Sequence, residues 1–475
     1  MEKKRTNPID WSQLIPVLPE EGPRRIALYQ ALRRLIESGQ LPPGAKLPTT
    51  RDLAERLGVS RGAAVASFEM LLADGFVEAR TGAGTFVADA VPLLARQKPE
   101  DRARAGSQEG ALPGTLGVSM ADEQTMATFR NLLMKDLARP GAAHFTYGDS
   151  RGGWGLRNEV ANYLRAARGV RCHPDQILLT AGTQQALDFI MRGAMTPGDA
   201  IWMEDPGYPM AHQAFRAAGM RVVGVPIDGE GIDIAAGEHI APEARVAYVT
   251  PSHQFPLGVT LSMRRRLALI EWARRADAFI IEDDYDSEFR FAGPPLSSLQ
   301  GIDGEGRVIY VGSFSKALFP GLRVGYAVLP ERLVDPILAV RFHSDRFPST
   351  LVEAPLARFI AEGHFARHLR RARRKARLAR DALVAALSGS PVTVHAPDQG
   401  LHLIALSPDG VEDHSLEAAA RHAGLGGRKL SSMYVDAEPR HGMVLGYSGF
   451  APEVLANAAL RWRRELETGP DRIRL

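Results

Sequence analysis

Four short apolar runs, at residues 177–180, 246–250, 279–281 and 308–311, alternate with stretches that carry the amphipathic period of helices. Strands and helices in this alternation build a mostly parallel sheet covered on its faces, so the chain beyond about residue 117 is constrained to an α/β fold with crossover helices. Upstream the pattern stops. Residues 91–116 include Lys98, Glu100, Asp101, Arg102, Arg104, Gly106, Ser107 and Gly110 with no apolar period, the character of a flexible linker. Three segments are therefore expected: 1–90, a linker at 91–116, and 117–475. No internal repeat is visible.

Composition narrows the class. The 475 residues hold one cysteine, Cys172, which excludes an intramolecular disulfide and a cysteine-rich metal site, and no metal site is expected. A reducing compartment, the cytoplasm, fits best. Hydrophobic residues at 45% and charged residues at 24% describe an ordinary folded chain, not a disordered or collagenous one. The uncharged stretch 382–397 contains serines, a glycine and a proline and falls short of the ~20 apolar residues of a bilayer span. The first ten residues carry Lys3, Lys4 and Arg5 but no apolar core, so a secretory signal is not expected. A net charge of +3 implies nothing about nucleic acid until the placement of basic residues is known.

That placement is informative near the N-terminus. Residues 24–37 carry Leu28, Leu32, Leu35 and Ile36 on one helical face and stop at Ser38-Gly39. The turn Leu41-Pro42-Pro43-Gly44 follows. In Leu47-Pro48-Thr49-Thr50-Arg51 a threonine can cap a second helix bearing Leu53, Ala54 and Leu57. Gly58-Val59-Ser60 then restarts the chain, with Ser60 capping a third helix. Its period predicts Val65, Phe68, Leu71 and Leu72 inward and Gly62, Ala63, Ala66, Ser67 and Met70 outward. Strands at 76–79 and 85–87 flank Arg80-Thr81-Gly82-Ala83-Gly84 as a hairpin wing.

This helix-turn-helix and wing resembles the GntR-type winged helix, including its Leu-Pro-x-x-Arg entry and Gly-x-Gly-Thr-Phe-Val exit. The resemblance implies operator DNA as partner. It places Arg51, Ser60 and Arg61 near phosphates and the major groove, and Arg80, Thr81 and Gly82 toward the minor groove. Helix N-termini and arginines both attract phosphate oxygens, which agrees with these roles. Beyond Arg61 the outward face of the third helix offers few base-reading donors, so no operator sequence follows.

The densest chemistry lies between Val311 and Arg323, in Gly312-Ser313-Phe314-Ser315-Lys316 and the residues after it. A lysine just past a strand, with hydroxyl residues before it and an arginine one or two turns on, suits an imine to an aldehyde whose phosphate those groups hold. Earlier, a buried-looking strand ends in Glu282-Asp283-Asp284-Tyr285. Asp283 suits the protonated nitrogen of a cofactor pyridine, and Tyr285 its phenolic oxygen. Thr180-Ala181-Gly182-Thr183-Gln184-Gln185 leads from a strand into a helix, where N–H groups and the Thr183 hydroxyl bind phosphate. Asp205-Pro206-Gly207-Tyr208-Pro209 presents a ring able to stack on a pyridine.

In this order the motifs resemble the fold-type I aminotransferases, and the whole chain resembles the MocR subfamily of GntR regulators. The resemblance implies a multidomain chain: an α+β winged helix-turn-helix, then an α/β aminotransferase-like domain with a smaller α+β subdomain. It implies pyridoxal 5'-phosphate as cofactor, with Lys316 as Schiff-base lysine, Asp283 at the pyridine nitrogen, Tyr285 at the ring oxygen and Tyr208 stacked on the ring. Thr183, Gln184, Ser313, Ser315 and Arg323 are implied around the phosphate, and Tyr147 at the cofactor of the other subunit of a homodimer.

Two positions depart from catalytic aminotransferases. Phe255 stands where an asparagine meets the ring oxygen, and Val444 where an arginine clamps the substrate carboxylate. Arg428, Arg440, His253 and His402 are the available substitutes for that clamp. Arg367, Arg370, Arg371, Arg373, Arg374, Lys375, Arg377 and Arg380 form an acid-free run, either a solvated helix face or an added DNA contact. The expected function is a regulator, not an enzyme beyond residual half-transamination, that senses a small amine or amino acid through external aldimine formation. The alternatives are an active aminotransferase tethered to DNA and a DNA-binding protein with an empty second domain.

Overall fold

The computed structural model describes residues 18, 22–89, 110–141, 144–293 and 296–468. Its contacts divide the chain into two units, Met1–Ser107 and Gln108–Leu475.

The first unit contains α1 (Arg24–Glu37), α2 (Thr50–Leu57), α3 (Arg61–Ala73), β1 (Val77–Arg80) and β2 (Gly84–Val87). Local chemistry sets the boundaries. Thr49 Oγ1 accepts the Asp52 N–H at 3.1 Å and Ser60 Oγ accepts the Ala63 N–H at 3.2 Å, each filling one of the open donors at a helix start. Gly58, at φ 62°, takes the left-handed turn that ends α2. The hairpin pairs Val77 with Val87 through Arg80 with Gly84. Leu28, Leu32, Leu41, Leu53, Phe68 and Leu71 close the core.

The expected inward face of α3 needs correction. Ser67 is fully buried and its hydroxyl donates to the Ala64 carbonyl at 2.9 Å, while Val65 and Leu72 are 36% and 39% exposed. The buried residues are Ala64, Ser67, Phe68 and Leu71. A small hydroxyl that bonds its own helix packs as readily as alanine, so polarity misplaced the stripe.

The second unit is built on an eight-stranded sheet of β3 (Ile177–Thr180), β4 (Ala200–Asp205), β5 (Arg221–Asp228), β6 (Gly231–Ile232), β7 (Val246–Val249), β8 (Phe279–Asp284), β9 (Val308–Ser313) and β10 (Gly325–Val328). Its order is β3-β10-β9-β8-β7-β4-β5-β6. Strands β9, β8, β7, β4 and β5 run parallel, and β10 pairs antiparallel with both β9 and β3. Helices cover both faces, so neighbouring residues of one strand enter different cores: Ile201 and Met203 pack with Phe215 and Ile281, and Trp202 between them packs with Trp272. The C-terminal ends of the parallel strands meet at one edge, the usual ligand edge of such sheets.

A second sheet, β11 (Thr393–His395), β12 (His402–Leu406), β13 (Arg428–Lys429) and β14 (Gly442–Gly446), is antiparallel in the order β11-β12-β14-β13. It packs against His364–Leu387 and Pro452–Thr468 around Leu383, Leu416 and Trp462. Of the expected linker, residues 91–109 lie outside the described residues. Its end is not free chain. Pro113 and Gly114 carbonyls accept N–H groups of Gly426 and Gly446 at 2.6 and 2.8 Å, fastening this strip to the small sheet.

Six of the eight basic residues of the run are engaged inside the unit, Arg367 at the Glu362 carbonyl and Arg377 with Asp381 among them. Arg371 and Lys375 reach Asp122 at 2.9 and 3.4 Å, Arg380 reaches Asp398 at 2.8 Å, and Arg373 donates to the Glu288 carbonyl. Among the described residues, no helix is long and apolar enough to cross a membrane.

Candidate functional site

A cavity of about 310 Å³ opens at the ligand edge of the large sheet. Lys316, Asp283, Tyr285, Tyr208, Thr183, Gln184, Ser313, Ser315 and Arg323 all line it. Tyr147 does not: it is 75% exposed, edge-on to Phe347 and 4.2 Å beneath the Arg346 guanidinium.

Strand alternation selects one acid from three. Along β8, Glu282 and Asp284 share a face away from the cavity. Glu282 accepts the Leu299 and Gln300 N–H groups, both at 2.9 Å, and Asp284 pairs with buried Arg168 at 2.7 Å. Asp283 points to the cavity. Its Oδ2 accepts the Tyr248 hydroxyl at 2.6 Å, and its Oδ1 is buried with no hydrogen-bond partner among the described residues. Burial pushes this carboxyl up to about 7; the Tyr248 hydrogen bond opposes the shift and the neighbouring Asp284 and Asp286 charges add to it. Tyr248 was missed in the sequence. Its only signal is a hydroxyl inside the otherwise aliphatic run of β7.

Lys316 lies in the single turn Phe314–Ala317 after β9. Ser313 starts that turn by accepting the Ser315 N–H at 3.1 Å. Burial pushes the lysine ammonium below its ordinary range, the direction that favours a neutral amine. Gly117, at φ 79°, also lines the cavity, and a Cβ there would lie 2.3 Å from Lys316 Nζ. Across the cavity Gly182 leads into the helix Thr183–Ala194, whose first N–H groups lack intrahelical partners. Gln184 Nε2 there is buried with no partner, and a Cβ on Gly182 would lie 3.5 Å from the Arg323 guanidinium.

The Tyr208 turn is locked from behind. Asp205 accepts the N–H groups of Val435, Asp436 and Ala437 at 2.8, 2.9 and 2.7 Å, tying the end of β4 to the loop before β14. Tyr208 meets Phe255 edge-on with ring centroids 5.5 Å apart. Phe255 also stands edge-on to Tyr285 at 6.0 Å. The Tyr285 hydroxyl donates to the His253 carbonyl at 2.9 Å and lies 3.0 Å from His253 Nδ1. Nδ1 is also 3.0 Å from Asp286. His402 Nε2 bonds the Pro256 carbonyl at 2.9 Å, and burial holds His402 down at about 3, hence neutral. Histidine and carboxylate atoms of His253, Asp286 and His402 lie within 4.8 Å of one another. Hydrogen bonds already engage all three side chains.

Of the four candidate clamps, Arg428 and His402 line the cavity. Arg440 and His253 are not among its lining residues. In the first unit Arg51, Ser60, Arg61, Arg80, Thr81 and Gly82 are all exposed. Arg80 is held within the wing, paired with Glu78 and 4.7 Å over the Phe86 ring.

Comparison with known proteins agrees with both halves of this architecture. Residues 123–420 match the family model of aminotransferase class I and II, and residues 25–87 that of bacterial regulatory proteins of the gntR family. The probable rhizopine catabolism regulatory protein MocR of Rhizobium meliloti is 37% identical over 91% of this chain and 92% of its own length. An archaeal alanine:glyoxylate aminotransferase superposes with a TM-score of 0.70 at 25% identity, covering 75% of this chain and 90% of its own. The α-aminoadipate aminotransferase LysN of Thermus thermophilus, complexed with N-(5'-phosphopyridoxyl)-L-leucine, gives 0.69 at 28% identity over 76% and 92%.

Proposed function

Because the chain belongs to the MocR subfamily of GntR-type transcription regulators, we propose that its aminotransferase-like domain holds pyridoxal 5'-phosphate and responds to a small amine or amino acid. The reading rests on Asp283 Oδ1, a buried acceptor without a partner among the described residues, which shares one cavity with the half-buried Lys316. Buried polar atoms are nearly always paired, so an orphaned carboxylate oxygen beside an open cavity marks the place of a missing cationic donor. The protonated ring nitrogen of the cofactor is such a donor. The unpartnered Gln184 amide and the glycine-lined approaches to Lys316 and Arg323 fit the same group.

In this arrangement Asp283 holds the ring nitrogen, Tyr208 covers the ring, and Tyr285 meets the ring oxygen. Thr183, Gln184, Ser313, Ser315 and Arg323 hold the phosphate. Pyridoxal phosphate, when bound, supplies an aldehyde carbon that passes from one amine to another. Burial lowers the pKa of the Lys316 ammonium, the direction that favours the neutral amine able to attack carbon and accept a proton. Tyr248 fixes the Asp283 carboxylate so that Oδ1 stays aimed at the cavity. Tyr147, exposed on its own subunit, completes the site of a partner copy in a homodimer.

Regulation follows if occupancy of the cavity and operator affinity are linked, which requires the effector to bind two conformers unequally. Arg51, Ser60, Arg61 and the wing residues Arg80, Thr81 and Gly82 contact the operator. Phe255 replaces a side chain that meets the cofactor's ring oxygen and Val444 one that clamps a transaminase substrate, so efficient turnover is not expected. The test is an absorbance spectrum of the purified protein, titrated with amines and amino acids, with and without a keto acid. A visible band that shifts with an amine, together with altered operator binding and no accumulating keto product, supports the regulator. Lys316→Ala should lose both the band and the effector response while keeping DNA affinity. Sustained keto product would favour a tethered aminotransferase, and absence of any band would refute the cofactor reading.

A further inference from the structure

A polar chain stands behind Tyr285 that the proposed function leaves unused. Phe255 offers no hydrogen bond where aminotransferases place an asparagine, so the donor assigned to the ring oxygen is Tyr285. His253 lies directly behind it. His253 Nδ1 is 3.0 Å from the Tyr285 oxygen and 3.0 Å from Asp286 Oδ2, and the Tyr285 hydroxyl is 2.9 Å from the His253 carbonyl. The His253 and Asp286 side chains are each 1% exposed, so water does not compete for these bonds. Tyr285 lines the cavity and His253 does not, so the histidine reaches the site through the tyrosine.

The partners fix where the protons lie. Asp286 Oδ2 also takes the Leu401 N–H at 3.2 Å; a carboxylate that only accepts leaves Nδ1 as the donor of the second bond. The same Nδ1–H faces the Tyr285 oxygen, and the tyrosine gives its own proton to the His253 carbonyl. Burial, reinforced by the Asp286, Asp283 and Glu204 charges, pushes the Tyr285 phenol well above its ordinary range and keeps it a donor. His253 Nε2 is buried with no partner among the described residues, so the imidazole uses its polarity at one end, toward Asp286 and Tyr285. A hydroxyl that accepts a hydrogen bond becomes a stronger donor of its own proton, because bonds in a chain polarise one another.

We propose that His253, oriented by Asp286, is a positioning residue that strengthens the Tyr285 hydroxyl as donor to the cofactor's ring oxygen, in place of the asparagine that Phe255 displaces. A stronger bond there draws negative charge away from the imine nitrogen beside it, which then holds its proton less tightly. The proposal deepens the cofactor reading and rests on it. Asp283 on β8, Glu204 on β4, His402 on β12, Tyr447 after β14 and Lys316 after β9 also act on this corner. They are common to wild type and His253 variants, so comparing the two isolates the relay.

The test uses full-length protein loaded with pyridoxal phosphate and reads the midpoint of the pH-dependent change in its visible band. His253→Phe keeps a ring and removes both nitrogens; it should raise that midpoint by about half a pH unit or more, in the same direction as Tyr285→Phe. His253→Asn returns an N–H near the place of Nδ1 and should bring the midpoint back toward wild type. His253→Gln, whose amide reaches toward the place of Nε2, should not. In Tyr285→Phe the further change His253→Phe should move the midpoint no more, because the relay acts through the hydroxyl. A wild-type midpoint in His253→Phe, or a shift undiminished without the Tyr285 hydroxyl, would overturn the relay and leave the cofactor reading standing. So would a lowered midpoint, the sign of a histidine that takes the tyrosine proton for itself. Wild-type protein without any band would overturn both. Where the phenyl ring prevents folding, His253→Asn against His253→Gln decides: equal midpoints in these two overturn the relay.

Discussion

The Tyr248 hydroxyl donates to Oδ2 of Asp283 across 2.6 Å inside the sheet, while Oδ1 of the same carboxylate meets no partner among the described residues. One hydrogen bond thus orients the acid and leaves its other oxygen for the cavity. Burial has pushed this carboxyl up to about 7, so near neutrality the cofactor-free protein holds a mixture of acid and carboxylate. Only the carboxylate can pair with a protonated ring nitrogen. Affinity of cofactor-free protein for pyridoxal phosphate should therefore rise with pH up to about 7, by at most about tenfold per unit, and then level off in this group's contribution. Titrations followed by absorbance between about pH 5.5 and 8.5 check this. Asp283→Asn should bind weakly and lose the inflection; an unchanged inflection in that variant would assign the titration to another group.

The same acid should cost stability when the cofactor is absent. Its folded pKa lies above the ordinary 3.8, so the folded state holds a proton that the unfolded state has already released between about pH 4 and 7. Stability falls as pH rises through that window, and the full cost is present above pH 7. Cofactor-free Asp283→Asn should consequently melt higher than wild type at pH 8, with a difference on the order of 1 to a few kcal/mol, and the gap should close toward pH 4. Equal melting temperatures at pH 8 would mean that the buried carboxylate is compensated by something other than Tyr248.

Most of the frame was legible because it obeys local rules. Helix α1 follows its apolar stripe from Arg24 to Glu37, Thr49 and Ser60 cap where hydroxyls precede apolar runs, and β3 matches the expected run at 177–180. The motif residues from Thr183 to Arg323 reach one cavity because each ends a strand or starts a helix at the same sheet edge. Two features were hidden, and a third, Arg428, was named without its place in the sheet. Tyr248 bonds Asp283 through the adjacency of β7 and β8, and strand order leaves no trace in local composition. Arg428 gains its place from its register opposite Val444, a pairing between residues sixteen positions apart in chain. Ser67 faces inward because a hydroxyl satisfied by its own helix is no longer polar to its neighbours.

Gly117 opens the segment after the expected linker, and its geometry makes it part of the lysine pocket. At φ 79° an alanine costs about 1 kcal/mol or more in backbone strain, and its Cβ would lie 2.3 Å from Lys316 Nζ. The flexible end of the lysine can retreat, which moves the amine rather than unfolding the domain. Gly117→Ala should therefore weaken cofactor retention by about tenfold or more while lowering stability by only ~1–2 kcal/mol. Gly410→Ala, at φ 77° and with nothing within 4 Å of its Cβ among the described residues, is the matched control. Equal cofactor retention in the two variants would show that the approach to Nζ is unimportant.

Arg61 and Arg80 are both exposed arginines of the first unit, but their surroundings separate them. Arg61 is the first residue of α3, next to the Ser60 cap and in the positive field of a helix start. Arg80 is already paired with Glu78 and lies over Phe86. A phosphate contact from Arg61 adds affinity for any sequence and releases about one counterion. Arg61→Ala should thus weaken binding to operator and unrelated duplex by similar factors and reduce the slope of log affinity against log salt by about one. A loss confined to the operator, with the salt slope unchanged, would instead make Arg61 a base reader. Arg80→Ala should also lower the melting temperature of the N-terminal unit, because it uncovers Phe86; a phosphate-only role predicts no such fall.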